Sequence, residues 1–132
     1  GDVTWRPLPL YGRDFRLESV PNALEQARQA AAHIRQRPEP AAEVPWFWSD
    51  QYDLKLQIAG LPQGGERRLV RGDPASGRFA VFHLDGDRLM AVEAVNAGPE
   101  FMGGRQLIAA RRPVDPEKLA DTGVSMKAVA RD

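Results

Sequence analysis

From Leu54 to Val95 the chain alternates short apolar runs with turn residues, and this pattern leaves few folds open. Leu54, Leu56 and Ile58 alternate with Asp53, Lys55 and Gln57, the period of two of a half-buried strand. Leu61-Pro62-Gln63-Gly64-Gly65 turns the chain, and Arg68-Leu69-Val70-Arg71 reads as a second strand. Asp73-Pro74-Ala75-Ser76-Gly77 is a second turn, followed by a third strand at Phe79-Ala80-Val81-Phe82-His83-Leu84. Asp85-Gly86-Asp87 is a tight hairpin signal rather than a calcium loop, which would need more carboxylates. Arg88 to Val95 is the fourth strand. Consecutive strands on short turns predict a four-stranded antiparallel meander.

Helical patterns flank this sheet. Ser19 is a good N-cap, and Pro21 fits the first turn, where a missing N–H costs nothing. Val20, Ala23, Leu24, Ala27, Ala31 and Ile34 follow at helical spacing as one apolar stripe. Half of the stripe is alanine, so it suits close approach to a partner layer better than the core of a free-standing domain. Arg37-Pro38-Glu39-Pro40-Ala41-Ala42 ends the helix as a linker. Before it, Gly1 to Ser19 reads as loop, from Pro7, Pro9 and Gly12. After the sheet, Pro99 to Arg111 is a helix weakened by Gly103-Gly104 and stopped by Pro113. Asp115 to Leu119 begins a short third helix, and Ser125 is positioned to cap a terminal turn. The fold class is therefore α+β.

The composition narrows function mainly by exclusion. Eighteen basic residues balance eighteen acidic ones, so no overall field draws this chain towards nucleic acid or membrane. There is no cysteine, hence neither a disulfide framework nor a thiolate metal site. His33 and His83 lack ligands at metal-binding spacing, and neither has an exposed serine to activate. No glycine-rich phosphate loop joins a strand to a helix. No apolar run approaches the roughly 20 residues of a membrane span, and the expectation is a soluble, cytoplasmic protein. Fifteen of the eighteen basic residues are arginine, which suits bidentate carboxylate contacts but equally follows from a GC-rich genome.

Four of the ten aromatics fall between Trp46 and Tyr52. So dense a cluster, just after a proline-broken linker, fills a core or forms a surface for a flat or apolar partner. The wording Pro45-Trp46-Phe47-Trp48-Ser49-Asp50-Gln51-Tyr52 resembles the start of the C-terminal domain of the FAD-dependent, NAD(P)H-using ferredoxin reductases that serve bacterial P450 and ring-hydroxylating oxygenase systems. The likeness extends over nearly the whole chain. Gly1-Asp2-Val3-Thr4 resembles the end of the family's second FAD fingerprint, and Glu18 to Ala27 resembles the helix facing the pyrimidine edge of the flavin.

The resemblance implies a division at residue 43: residues 1–43 as the last part of an FAD-binding domain, and 44–132 as the C-terminal reductase domain. It implies that the Asp2 carboxylate bonds a flavin ribityl hydroxyl. It also implies that Ser19 and Val20 present a helix N-terminus to reduced flavin, whose negative charge that end would stabilise. Trp46 and Trp48 would exclude water from the flavin and shorten the path to the iron–sulfur cluster of a [2Fe–2S] ferredoxin. Arg67, Arg68, Arg71 and Arg112 are the arginines open to acidic carboxylates of that partner. The family's nucleotide-binding glycine-rich motifs are absent from this chain, so an isolated chain is expected to be inactive and to bind FAD weakly. A disulfide reductase of the same superfamily would carry a histidine followed by proline, and neither His33 nor His83 is. The remaining alternative is a non-catalytic interaction or dimerisation module that uses the aromatic segment as its contact patch. On the reductase reading, the alanine-striped arm of residues 1–36 is expected to dock on a neighbouring copy.

Overall fold

The computed structural model describes residues 1–130, and these form two compact units that divide between Phe47 and Trp48.

In the first unit, residues read as loop form a small hairpin. Strands β1 (Arg6–Leu8) and β2 (Arg13–Phe15) pair antiparallel, with Arg6 opposite Phe15. Pro7 sits in a two-stranded ribbon, where each strand has one free edge and a missing N–H breaks no ladder. The Arg13 guanidinium lies 4.5 Å from the centre of the Phe15 ring, and Tyr11 meets that ring edge-on. Helix α1 (Val20–Ile34) starts where the cap predicts: the Ser19 side chain accepts from the Asn22 amide. It ends in a Schellman turn, the Gln36 and Arg37 amides returning to the His33 and Ala32 carbonyls. Gln36 takes the left-handed conformation that glycine usually fills there, with φ 50°.

The polar side of α1 is the side that packs. Asn22 is only 3% exposed and donates to the Leu17 carbonyl at 2.7 Å. Arg6 donates from Nη2 to Asn22 Oδ1 at 2.9 Å and to Glu25 Oε2 at 3.0 Å. Gln26 reaches Thr4 Oγ1 at 2.7 Å, tying the first residues to the middle of the helix. Val20, Leu24 and Ile34 remain exposed, as do Ala23, Ala27 and Ala31. The alanine stripe thus has no cover among the described residues.

The second architectural element is a five-stranded antiparallel sheet, one strand more than the periodicity predicts. Its strands are β3 (Trp46–Gln51), β4 (Leu54–Gly60), β5 (Arg67–Asp73), β6 (Arg78–Asp85) and β7 (Arg88–Val95). The extra strand is the aromatic segment itself, which lacks the alternation that marks the others. The spatial order is β3-β4-β7-β6-β5, so only β5, β6 and β7 form a meander; β4 lies beside β7, not β5. The reason is burial. Ala91, Val92 and Ala94 of β7 are all at most 1% exposed, and such a strand belongs at the centre. Arginine-bearing β5 takes an edge, where charge is tolerated and deters unwanted pairing. The turn between β6 and β7 uses Gly86 at φ 60°.

Register separates the two faces of the sheet. Leu69, Phe82, Val92 and Ala59 form one cross-strand row, with Arg71, Ala80, Ala94 and Gln57 on the same face. Helix α2 (Gly98–Ala110) covers this face, burying Phe101, Leu107 and Ile108. Each large side chain fully buried there contributes about 1.5–3 kcal/mol. Gly103 and Gly104, which weaken the helix locally, are what lets it approach. A Cβ on Gly104 would lie 2.6 Å from Val92 Cγ1, and one on Gly103 2.5 Å from Met126 Cβ. The short helix α3 (Pro116–Ala120) is capped by Asp115, whose side chain accepts from the Glu117 and Lys118 amides. A 3₁₀ turn follows at Met126–Ala128; Ser125 precedes it but makes no side-chain cap.

Candidate functional site

Asp2, Ser19, Val20 and Trp46 belong to the first unit, and Trp48 to the second. Asp2 is exposed, in a turn closed by the Thr4 amide on the Gly1 carbonyl. Its carboxylate has no partner among the described residues. At the start of α1 the donors are nearly all used. Pro21 has no N–H, Asn22 donates to Ser19 Oγ at 3.3 Å, and Ala23 donates to the Ser19 carbonyl at 3.0 Å. The Val20 amide alone is left in this turn, on a residue that is 57% exposed. Ser19 therefore caps the helix from within, while Val20 offers an N–H to an outside acceptor at the positive end of the helix. These two groups fit a flavin edge and ribityl hydroxyl, and they are few.

Within β3, side-chain alternation puts Trp46 and Trp48 on one side and Phe47 on the other. Phe47 and Trp48 are both partly exposed, so the aromatic segment is neither sealed core nor bare surface. β3 turns into β4 through Tyr52 and Asp53. Tyr52 is fully exposed, with φ 57°, a conformation rare for an aromatic residue. Asp50, Asp53, Lys55, Gln57, Asn96 and Gly98 line an open groove of about 520 Å³ beside this hairpin.

The four arginines offered to an acidic partner do not share one role. Arg67, Arg68 and Arg112 are exposed. Arg71 is not: its side chain is 5% exposed and points beneath the sheet. Its Nε donates to Glu100 Oε1 at 3.3 Å. Its Nη1 donates to the carbonyls of Leu119 and Asp121, at 3.2 and 2.5 Å, and its Nη2 to that of Val124 at 2.6 Å. Arg71 is an internal clasp, because the carbonyls at the end of α3 need a donor and a planar guanidinium supplies several. The pattern Arg-x-x-Arg on a strand cannot reveal this, since which arginine faces inward depends on strand pairing.

Of the two histidines, His33 is exposed, and His83 is 5% exposed with Nε2 2.7 Å from Glu93 Oε2. Sequence reasoning overlooked Asn96. Its backbone is left-handed, φ 49°, and its side chain bonds Lys55, Asp53 and Gly77. The available signal was an asparagine, one of the few residues tolerating that conformation, directly between an apolar strand and Gly98-Pro99.

The model of the family described as Reductase C-terminal matches residues 46–130. A probable ferredoxin reductase of Castellaniella defragrans is 53% identical over 98% of this chain, and putidaredoxin reductase of Pseudomonas putida is 48% identical over 98%. The chain spans about a third of each relative, 32% and 31%. Among solved structures, the covalent putidaredoxin reductase–putidaredoxin complex contains a similar chain, with TM-score 0.91 and 46% identity over 96% of this chain and 30% of that one. No helix among the described residues is long and apolar enough to cross a membrane. The chain belongs to the Reductase C-terminal family, the C-terminal part of ferredoxin reductases of the putidaredoxin and rhodocoxin reductase type.

Proposed function

We propose that this chain is the electron-delivery end of an NAD(P)H-dependent ferredoxin reductase that passes electrons to a [2Fe–2S] ferredoxin serving a P450 or ring-hydroxylating oxygenase. The observation that carries the reading is the close likeness to a reductase solved in covalent complex with putidaredoxin. Residues 1–43 are read as the end of the FAD-binding domain and residues 44–132 as the C-terminal domain. FAD, when bound, converts hydride chemistry into single-electron steps. The Val20 amide would donate to the flavin's pyrimidine edge, with Ser19 fixing the helix start. Asp2 would accept from a ribityl hydroxyl. Trp46 and Trp48 would keep water from the flavin, and Arg67, Arg68 and Arg112, all on the surface, would meet partner carboxylates. An NAD(P)H-consuming reductase works where its nucleotide is regenerated, so the proposed location is the cytoplasm.

Two measurements test this. In the full-length reductase, Trp48→Ala should slow electron delivery to ferredoxin more than FAD reduction by NAD(P)H, as read by stopped-flow of each half-reaction. Equal slowing of both, or an unchanged ferredoxin rate, would make Trp48 a packing residue. In the isolated chain, one amide and one carboxylate are too few contacts to offset the cost of immobilising a dinucleotide. The chain should therefore be colourless and inactive, and flavin fluorescence should show no sub-micromolar quenching.

A further inference from the structure

We propose that Asn96 is a positioning residue that sets the place of the Trp48-bearing hairpin; this deepens, and rests on, the reading of Trp48 as part of the ferredoxin-docking segment. Two other backbone segments, the β3–β4 hairpin and the turn before β6, meet at this side chain. The Asn96 amide donates to the Lys55 carbonyl at 2.9 Å, and Oδ1 accepts from the Lys55 amide at 3.0 Å. Nδ2 donates to the Asp53 carbonyl at 3.2 Å and to the Gly77 carbonyl at 3.0 Å. The regular ladder between β4 and β7 stops at Leu56 opposite Val95. Beyond it the tip of the β3–β4 hairpin, with Tyr52 and Asp53, extends past the end of its neighbour. Asn96 ties that overhang to the start of α2 and to the turn before β6.

The residue type fits the task closely. The chain must bend sharply between β7 and α2, which requires the left-handed backbone seen at Asn96 (φ 49°). Glycine would allow the bend but supply no bonds. Aspartate would still accept from Lys55 but would face two carbonyls with a carboxylate and no donor. Asparagine combines tolerance of the bend with one acceptor and two donors on a short stem. Trp48 lies on β3, four residues before the Tyr52 tip of the hairpin whose turn and second strand this tie holds. Its orientation towards a docking partner then depends on a side chain that touches neither flavin nor ferredoxin.

Asn96→Gly separates the two functions, since glycine keeps the bend and removes only the side-chain bonds. Hydrogen exchange of this chain should show amides 53–57 losing about tenfold protection, the scale expected for a lost pair of hydrogen bonds. In the full-length reductase, the KM for ferredoxin should rise about fivefold with kcat unchanged, a loss smaller than the bonds' full worth. The double variant Asn96→Gly/Trp48→Ala should lose little beyond Trp48→Ala alone. Asn96→Asp keeps the bond from Lys55 but sets a carboxylate against two carbonyls, so it too should raise the KM for ferredoxin. Unchanged exchange in 53–57 would overturn the positioning role. So would a normal ferredoxin KM in Asn96→Gly while Trp48→Ala is impaired. An unimpaired Trp48→Ala with raised exchange in Asn96→Gly would leave the tie standing and sink the docking reading instead.

Discussion

Arg71 and Glu100 form an ion pair at 3.3 Å beneath the sheet, their side chains only 5% and 16% exposed. The same guanidinium holds the carbonyls of Leu119, Asp121 and Val124, so one residue joins edge strand β5 to α2, to the end of α3 and to the segment after it. A buried pair of this kind is weak evidence of net stabilisation, but losing one member is costly because the other stays charged and unpaired.

Arg71→Ala should therefore destabilise the chain by about 3–5 kcal/mol in denaturant unfolding. Arg71→Lys keeps the charge but not the fork, and should recover less than half of that loss. Exposed Arg68→Ala should change stability by less than about 0.5 kcal/mol. Equal stability of Arg71→Ala and wild type would show that the clasp is incidental.

Gly104→Ala tests packing against helix propensity. Alanine gains about 1 kcal/mol in a helix interior. At Gly104 its Cβ would sit 2.6 Å from Val92 Cγ1, inside a face with no room to yield, so overpacking should prevail and cost about 1–3 kcal/mol. Gly104→Ala/Val92→Ala, which removes the methyls that the added carbon would meet, serves as the control and should lose little beyond Val92→Ala alone. Thermal unfolding of these variants gives the sign.

Gln36 closes α1 at φ 50° without glycine's freedom. Gln36→Gly should stabilise the helix end by up to about 1 kcal/mol, because the left-handed conformation costs roughly 1–2 kcal/mol for a side-chain-bearing residue and glycine's greater unfolded-state entropy offsets part of it. A melting temperature that falls would mean that the Gln36 side chain contributes something its backbone role does not explain.

The exposed stripe on α1 predicts self-association of the isolated chain. Val20, Leu24 and Ile34 are 57%, 52% and 80% exposed, and apolar surface of this sort is normally covered. Light scattering should show a larger mass for the whole chain than for one lacking residues 1–36, and Leu24→Asp should reduce association. A monomer at all concentrations would contradict it.

What the sequence determined by itself was local. Ser19 as the cap of α1, Gly86 in the β6–β7 turn, a short helix beginning at Asp115 and the span of β7 from Arg88 to Val95 all follow from residues within a few positions of one another, where capping, turn chemistry and side-chain period act directly. The family was legible for a different reason: the run Trp46 to Tyr52 is long and unusual in composition. Tertiary structure decided the rest. The strand order β3-β4-β7-β6-β5, the use of the aromatic run as a fifth strand, and the burial of Arg71 but not Arg68 all depend on pairing between segments far apart in the chain. The same is true of α1, whose polar side packs because Arg6 and Thr4 return to meet Asn22, Glu25 and Gln26. Asn96 shows the limit most clearly. Its sequence neighbours permit a bend, but only the arrival of Asp53, Lys55 and Gly77 around it makes the side chain a tie.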